Sequence, residues 1–469
     1  MSGRAENLPP AAEVVETALE QAGGEGCIVL VEDTSEAEVR FANNTTTTNG
    51  VRRDRRVTVI SLQASGGGTS AGVARRAGPA DLAELVAAAE RDAAGSPPAE
   101  DASPLLTRAE AAGPSGDFGA PPVLTHLSVL SDVLTGLAEA FDKAKKEDRV
   151  LAGFAEHRQS TVSLGTSTGV RLRHTQPTGS LQLVARSADG TRSAWTGAGT
   201  ADFSDVTIEA MDERLTRRLG WAERRIELPE GRYEVVAPPE AVADLMIYLL
   251  ESASGQEAEE GRTVFSKKGG GTRVGDTLAP LPYELRSDPA EAGLQCAPFL
   301  TTAMSGPDDS VFDNGLPLGR TTWLEDGRLE RLRYHRARAA LSHAPVAAPI
   351  DNLVLELPGA EGSLDDLVAR TERGLLLTCL WYIREVDPAT LLLTGLTRDG
   401  VYLVEHGEVV GAVNNFRFNE SPVDFLGRAT EAGTTVRAIG REFGEWYNQT
   451  AMPPLRVHDF NMSSVSPAS

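Results

Sequence analysis

The stretch Tyr233-Glu-Val-Val-Ala-Pro-Pro-Glu-Ala-Val-Ala-Asp-Leu245 joins a β-prone run directly to the start of a helix. Residues 233–237 are rich in the aromatic and β-branched types that favour a strand. Two prolines follow, and proline in the first turn together with the acidic Glu240 suits the positive end of a helix. The next apolar residues recur at helical spacing and predict one buried face: Val242, Leu245, Met246 and Leu249. The chain therefore combines strands and helices.

Upstream of this stretch, residues 159–226 alternate β-prone segments with glycine-containing and Asp-Gly turns, which is typical of an antiparallel meander. The β-prone segments are residues 160–164, 170–174, 180–185 and 192–197. A helix with one apolar face between Leu127 and Phe141 precedes them. We assign residues 123–230 to a central unit made of this helix and the meander.

The first 93 residues predict a small α/β domain. Helical patterns at residues 10–22 and 79–93 flank short strands at 27–31, 37–42 and 57–62, with turn-rich or polar stretches such as Asn43–Gly50 between the strands. Residues 94–122 are dense in alanine, proline, glycine and serine, which is typical of a linker. We therefore predict a domain boundary at residues 94–122.

Residues 231–469 form the largest predicted unit, and its pattern is mostly β. Strands are predicted at residues 375–382, 391–394, 400–404, 408–413 and 455–460. One helix is predicted from Ser363 to Gly374, opened by a Ser/Asp cap. The predicted fold class is α+β, with a small N-terminal α/β domain and a large C-terminal domain dominated by antiparallel β-sheet with a few packed helices.

Composition excludes several classes of protein. The 469 residues carry 45 Lys and Arg against 67 Asp and Glu, a formal net charge of −22, and 41% are hydrophobic. This excludes wholesale disorder and coiled coil, and it argues against binding to nucleic acid or an anionic membrane surface, which requires cationic side chains. Cys27, Cys296 and Cys379 form no C-x-x-C pair, and no apolar leader or spanning segment is present, so we expect a cytoplasmic protein.

Local motifs do not identify a catalytic centre. Gly165-Thr-Ser-Thr-Gly169 matches the G-x-S-x-G string, but β-prone residues on both sides favour a hairpin turn over a nucleophile elbow. The seven histidines lack metal-ligand spacing, although ligands could still converge from distant parts of the chain. The acid pairs Asp308-Asp309 and Asp365-Asp366 are interpreted as loop and helix-cap residues, because adjacent carboxylates do not face one substrate.

Longer strings resemble a known family. The opening stretch, with Gly261-Arg-Thr-Val-Phe-Ser266 and Leu281-Pro-Tyr-Glu-Leu-Arg-Ser-Asp-Pro289, resembles the central region of the TldD/PmbA family of metallopeptidase-related proteins, also called modulators of DNA gyrase. Val311-Phe-Asp-Asn-Gly-Leu-Pro317 and Val404-Glu-His-Gly-Glu-Val-Val-Gly-Ala-Val413 resemble the C-terminal β core of that family. The resemblance covers nearly the whole chain.

The resemblance also identifies what this chain lacks. In TldD-type subunits an H-E-x-x-x-H helix and a distant C-terminal cysteine bind zinc, and the glutamate acts as general base. Here Pro239, Glu240 and Asp244 occupy the three motif positions, and the C-terminal stretch Met452–Met462 contains no cysteine. We therefore expect no catalytic residue, metal or other cofactor in this chain, as in the TldE/PmbA branch of the family.

The resemblance implies a non-catalytic subunit that pairs with a TldD-like catalytic subunit or forms a homodimer, with zinc held by the TldD-like partner. The complex would cleave unfolded peptides or modified-peptide precursors, and a peptide would add as a strand to a β edge. The acidic balance would suit basic peptides, or simply a solvated surface. Two alternatives stay open: a self-sufficient metallopeptidase homodimer with ligands such as Asp244, His335 or His343, and a stand-alone peptide-binding module.

Overall fold

Three β-sheets carry the fold in the part of the chain that the computed structural model describes, residues 8–113 and 116–466. Residues 1–7, 114–115 and 467–469, which belong to the first predicted unit, the predicted linker and the last predicted unit, lie outside the described residues. The sheets pair their strands mainly antiparallel, and the helices pack on them. The predicted α+β class is confirmed.

The α-helices within the described ranges are α1 Ala11–Gln21, α2 Leu82–Gly95, α3 Ser131–Lys146, α4 Ile208–Trp221, α5 Pro239–Glu251, α6 Gly255–Glu259, α7 Arg336–Ser342, α8 Leu364–Ala369 and α9 Pro422–Gly427. Short 3-10 turns occupy Leu127–Leu130 and Val311–Asp313.

The first strands belong to one six-stranded sheet: β1 Gly26–Ala42, β2 Thr45–Ser65, β3 Gly68–Ala77, β4 Arg149–Thr166, β5 Arg171–Ser187 and β6 Ser193–Thr200. The later strands are β7 Arg225–Ile226, β8 Gly231–Ala237, β9 Glu284–Ser287, β10 Thr321–Glu325, β11 Arg328–Leu329, β12 Leu353–Glu356, β13 Arg373–Leu377, β14 Leu380–Asp387, β15 Leu392–Thr397, β16 Val401–Glu405, β17 Glu408–Val413, β18 Phe416–Glu420, β19 Ala429–Ala432, β20 Val436–Ala438, β21 Thr450–Met452 and β22 Leu455–Val465.

The six-stranded sheet crosses the predicted linker. Its strand order is β3-β2-β1-β4-β5-β6, so β1 lies between β2 and β4, and residues 94–122 connect two parts of one sheet. The predicted boundary at this segment therefore does not divide the sheet. The segment itself contains neither a helix nor a strand in its described residues beyond the end of α2.

Several strands are longer than predicted. The short runs at residues 27–31 and 37–42 form the single strand β1, and the turn between β1 and β2 is confined to Asn43 and Asn44, both with positive φ. Polar residues continue the ladder because they pair across the strands: Arg52 lies 3.1 Å from Glu36. Likewise, the segments predicted at 170–174 and 180–185 both belong to β5.

The other two sheets form the C-terminal part. The larger has the order β14-β15-β18-β22-β8-β13-β16-β17-β7, with β19 paired to β22. The third has the order β11-β10-β9-β12-β21-β20, so β20 is a terminal strand. The predicted strand at 375–382 is interrupted between β13 and β14, and the helix predicted at 363–374 is the shorter α8.

Helix α5 is buried on almost all sides. The predicted apolar face is buried, and so are the residues opposite it, including Ala243, Ile247 and Leu250. Burying one leucine or isoleucine side chain contributes about 2 kcal/mol, so this helix is a major part of the core. Its surroundings include strand β8 and the buried aromatic residues Phe425 and Tyr283 of the same core.

Among the described residues, no helix combines the length and the apolar character needed to cross a membrane.

Candidate functional site

The start of helix α5 faces a cleft. The helix begins at Pro239, with Pro238 as its N-cap residue, as predicted. Glu240 lies in the first turn, and 12% of its side chain is exposed. Pro239 and Glu240 both line the cleft, which has a volume of about 520 Å³. The second position of the degenerate motif is therefore open to a ligand.

Asp244, one turn further along α5, does not line this cleft. Its side chain is buried, and its carboxylate accepts hydrogen bonds from the backbone N–H groups of Arg441 at 2.9 Å, Glu442 at 3.0 Å and Phe443 at 3.3 Å. Burial raises the pKa of Asp244 to about 8, and the three N–H donors oppose that rise. Since both oxygens are bonded to backbone, Asp244 fixes the turn at residues 441–443.

The cleft collects residues from distant parts of the sequence. Helix α4, helix α5, the start of α8 and the segment from 434 to 437 form its walls, together with Pro454. Pro454 belongs to the C-terminal stretch that the resemblance aligns with the cysteine ligand of TldD-type subunits. Strand β22 then pairs with β8, Leu455 opposite Ala237, which brings this stretch beside the start of α5.

Arginine dominates the charge of the cleft. Four arginines and two carboxylates line it: Arg214, Arg217, Arg218, Arg437, Glu240 and Asp365. Arg214 lies 3.4 Å from Glu240, and Arg217 lies 3.0 Å from Asp365. Both pairs are partly exposed, so each adds little to stability. The cleft keeps an excess of positive charge within a chain of net charge −22.

Arg218 is the buried member of this group, with 4% of the residue exposed. Its guanidinium donates a hydrogen bond to the backbone carbonyl of Trp195. Within the described ranges no carboxylate lies within 4.0 Å of it. Burial lowers the pKa of Arg218, because water does not stabilise the cation there, and the nearby charge of Glu240 opposes this shift.

The cleft does not fit zinc. Zinc sites in proteins use imidazole, thiolate and carboxylate ligands, usually four of them or three with a water. Among the described residues that line the cleft, none is a histidine or cysteine, and Glu240 is already paired with Arg214. Neighbouring guanidinium groups would also repel a divalent cation.

The structure does not assemble the atypical ligands considered from the sequence. His335 caps helix α7, and His343 ends that helix with a positive φ. In residues 8–113 and 116–466, one group of three side chains brings its possible ligand atoms within 4.8 Å of one another: Glu36, Glu38 and Glu156. Asp244, His335 and His343 are not part of this group. Glu36 also accepts hydrogen bonds from Arg52 and Arg158.

The other sequence motifs have structural roles. Residues 165–169 join β4 to β5 in a hairpin, as predicted, with Gly169 at φ +89°. Asp308 pairs with Arg333 at 2.8 Å in a loop, and Asp366 forms a capping box with Ser363 at the start of α8. All three cysteines are free and buried.

Helix α4, which supplies three of the four arginines, was not predicted from the sequence. A signal for it is present, since Ile208, Met211, Leu215 and Leu219 recur at helical spacing and are buried. Residues 159–226 were all assigned to the β meander, and this helical spacing was therefore not recognised. Nothing local indicates that Arg437, more than 200 residues away, lines the same cleft.

A second cleft, of about 490 Å³, lies between the six-stranded sheet and residues 445–449. Asp351 and His174 line it, and burial raises the pKa of Asp351 while His174 opposes the rise. Trp446, also in its lining, is 87% exposed.

Two domain families match the chain. The PmbA/TldA metallopeptidase C-terminal domain matches residues 230–464, and the PmbA/TldA metallopeptidase central domain matches residues 126–223. The first alone covers half of the chain. No curated protein matches the chain in sequence.

Solved structures share the fold at low identity. TldE from Thermococcus kodakarensis aligns with a TM-score of 0.77 and 16% identity, over 96% of this chain and 99% of its own. A candidate modulator of DNA gyrase from Thermotoga maritima aligns with a TM-score of 0.73 and 15% identity, over 93% and 95%. A candidate modulator of DNA gyrase from Bacteroides thetaiotaomicron aligns with a TM-score of 0.74 and 14% identity, over 97% and 98%.

Proposed function

The chain belongs to the PmbA/TldD family of metallopeptidase-related proteins, and from that premise we propose that it is a non-catalytic, TldE/PmbA-like subunit of a TldD-type zinc metallopeptidase. The complex cleaves unfolded peptides or modified-peptide precursors in the cytoplasm. The TldD-like partner holds the zinc, and this chain supplies structure and part of the peptide surface.

One observation carries the proposal: arginines, not metal ligands, surround the glutamate of the degenerate motif. A metallopeptidase glutamate acts on a metal-bound water, so it must face a cation held by neutral or anionic ligands. Glu240 instead faces Arg214, with Arg218 buried nearby. Asp244, at the last motif position, bonds to backbone N–H groups.

The same geometry weakens the first alternative. A self-sufficient metallopeptidase would need three or four ligands around one point, and Asp244, His335 and His343 do not meet in the described part of the chain. The stand-alone peptide-binding module differs from the leading proposal only in lacking a partner, so the experiment below separates the two.

Peptide binding would use a strand edge beside the cleft. β20 is the terminal strand of its sheet, and its residues Val436 and Arg437 line the cleft. Backbone pairing at such an edge tolerates many sequences and selects extended, unfolded segments.

Co-purification tests this proposal. This chain and an H-E-x-x-x-H partner from the same genome are expressed separately and together, and zinc and cleavage of an unfolded peptide are measured for each preparation. We expect a complex in which zinc follows the partner and cleavage requires both chains. A partner with its first motif histidine replaced by alanine is the control, and it should form the complex but cleave nothing. Stoichiometric zinc and cleavage from this chain alone would contradict the proposal, and failure to form a complex would favour the stand-alone module.

A further inference from the structure

We propose that the arginine cleft beside helix α5 binds a carboxylate group of a peptide, and this rests on the proposed function as a peptidase-complex subunit. The cleft is defined by Arg214, Arg217, Arg218 and Arg437. It would give this subunit a preference among peptides that the zinc-bearing partner does not supply.

The first argument is the state of Arg218. A buried cation is costly unless an anion or several acceptors compensate it. Arg218 is 4% exposed, lines the cleft, and has one hydrogen bond in the described residues, to the Trp195 carbonyl. Glu240 is near enough to affect its charge but is bonded to Arg214. A carboxylate in the cleft would supply the missing partner.

Arg437 adds an independent observation. Its Nε is buried and has no hydrogen-bond partner among residues 8–113 and 116–466. Its one ion pair in that part of the chain is long, with 3.7 Å between Nη1 of Arg437 and Oδ2 of Asp205. Two of the arginines that line one cleft therefore keep unused donors.

The chemistry of arginine selects the ligand. The planar guanidinium donates pairs of hydrogen bonds that match a carboxylate, and such charge-assisted bonds are stronger than neutral ones. A peptide fits better than a single small anion because the cleft, at about 520 Å³, is far larger than one carboxylate. Leu364, Val436 and Pro454 add apolar lining for a side chain.

The local charge of the cleft differs in sign from the net charge of the chain. The net charge of −22 would suit basic peptides or simply a solvated surface, whereas this cleft has four cations against two anions. Local charge decides binding at short range, since salt screens the rest of the surface over about 8–10 Å.

Binding of three labelled peptides that carry no charge apart from the tested carboxylate, measured on the full-length chain, tests the proposal. One peptide ends in a free carboxylate, one ends in an amide, and one ends in an amide but contains a single glutamate. We expect the amide to bind about ten-fold or more weakly than at least one carboxylate peptide at low salt. Comparing the affinities of the peptide with the free terminal carboxylate and the peptide with the glutamate then shows whether the cleft prefers a terminal or a side-chain carboxylate.

Arg214→Gln and Arg437→Gln should each reduce the carboxylate preference, and both residues are partly exposed, so the variants should fold. The matched control is Arg328→Gln, whose exposed side chain pairs with Glu330 away from the cleft. Loss of the preference in both cleft variants and its retention in the control would support the proposal. Equal binding of all three peptides, no binding, or an unchanged preference in the cleft variants would overturn it.

Inorganic phosphate is the second probe. If phosphate binding depends on Arg214 and Arg437 while the three peptides bind alike, the cleft takes a small anion and the peptide assignment is wrong. These measurements use this chain without a partner. Their failure would therefore leave the zinc and cleavage result intact, and failure of the complex to form would leave the carboxylate preference intact.

Discussion

The carboxylate of Asp244 accepts a hydrogen bond from the backbone N–H of Arg441 at 2.9 Å, so a buried residue of helix α5 holds a turn almost 200 positions later. The side chain of Arg441 then stacks between two tryptophan rings, 4.9 Å from the centre of Trp195 and 4.9 Å from that of Trp381. Through Arg441, the turn that Asp244 holds thus contacts both β6 and β14.

Asp244→Ala should destabilise the protein strongly. The change leaves three half-buried N–H groups without their acceptor inside the protein, and each such loss costs about 1 kcal/mol or more, so we expect about 3 kcal/mol in total. Urea unfolding at equilibrium measures this. Asp142→Ala, on an exposed face of α3, is the control and should change stability by about 0.5 kcal/mol at most. A loss no larger than the control's would contradict the role of Asp244.

Gly440→Ala should disturb the same contact. A Cβ at Gly440 would lie 2.3 Å from Oδ1 of Asp244, which is too close for two non-bonded heavy atoms. We expect a loss of about 2 kcal/mol, typical of overpacking. Because Asp244→Ala removes the clashing oxygen, the double variant should lose about 1 kcal/mol less than the sum of the single variants. Strict additivity in the urea experiment would show that the two residues do not interact.

Stability should fall in acid because of His157. Its Nε2–H donates to the Ala201 carbonyl at 2.8 Å, which leaves Nδ1 to accept from the Thr125 hydroxyl at 2.6 Å. Burial lowers the pKa of His157 below its ordinary value of 6.5. The unfolded chain therefore binds the proton more readily. The contribution to stability is complete above about pH 6.5 and is lost as the pH falls through the folded-state pKa.

Unfolding free energies at pH 7.5 and pH 5.5 measure this effect. His157→Gln should flatten the pH dependence, whereas His343→Asn, at the exposed end of α7, should retain it. Equal slopes in the wild type and His157→Gln would assign the acid sensitivity to another group.

Glu240→Gln should strengthen carboxylate binding in the arginine cleft. The change removes a negative charge that pairs with Arg214 and lies near Arg218. At such distances one charge changes affinity by about three-fold or more in a partly hydrated site. Peptide titration measures this, with Glu84→Gln on α2 as the control. Weaker binding by Glu240→Gln would mean that Glu240 itself contacts the peptide as an acceptor.

Much of the fold follows from local patterns in the sequence. Strand β8, the start of α5 at Pro239 and the hairpin at residues 165–169 match their predictions, because proline, glycine and apolar spacing act over a few residues. The lengths of β1 and β2 were not predicted, since their polar ends are stabilised by pairing with neighbouring strands rather than by their own composition.

The site was predictable only in part. The resemblance drew attention to Pro239, Glu240 and the C-terminal stretch, which line the cleft, but the sequence predicted neither the cleft nor the hydrogen bonds of Asp244 to residues 441–443. The arginines were missed because α4 was not recognised and because Arg437 reaches the cleft only through the pairing of β20 with β21. Side-chain direction and long-range pairing both depend on the assembled core.

The position of β1 between β2 and β4 has a consequence for how the protein is made. During synthesis β1 and β2 leave the ribosome early and can pair at once, but β4 follows only after residues 43–148 have been added. Until then one edge of β1 is open, and such edges promote aggregation. Nascent chains stalled before Thr166 should therefore depend on chaperones, and this edge of β1 is covered once β4 pairs with it.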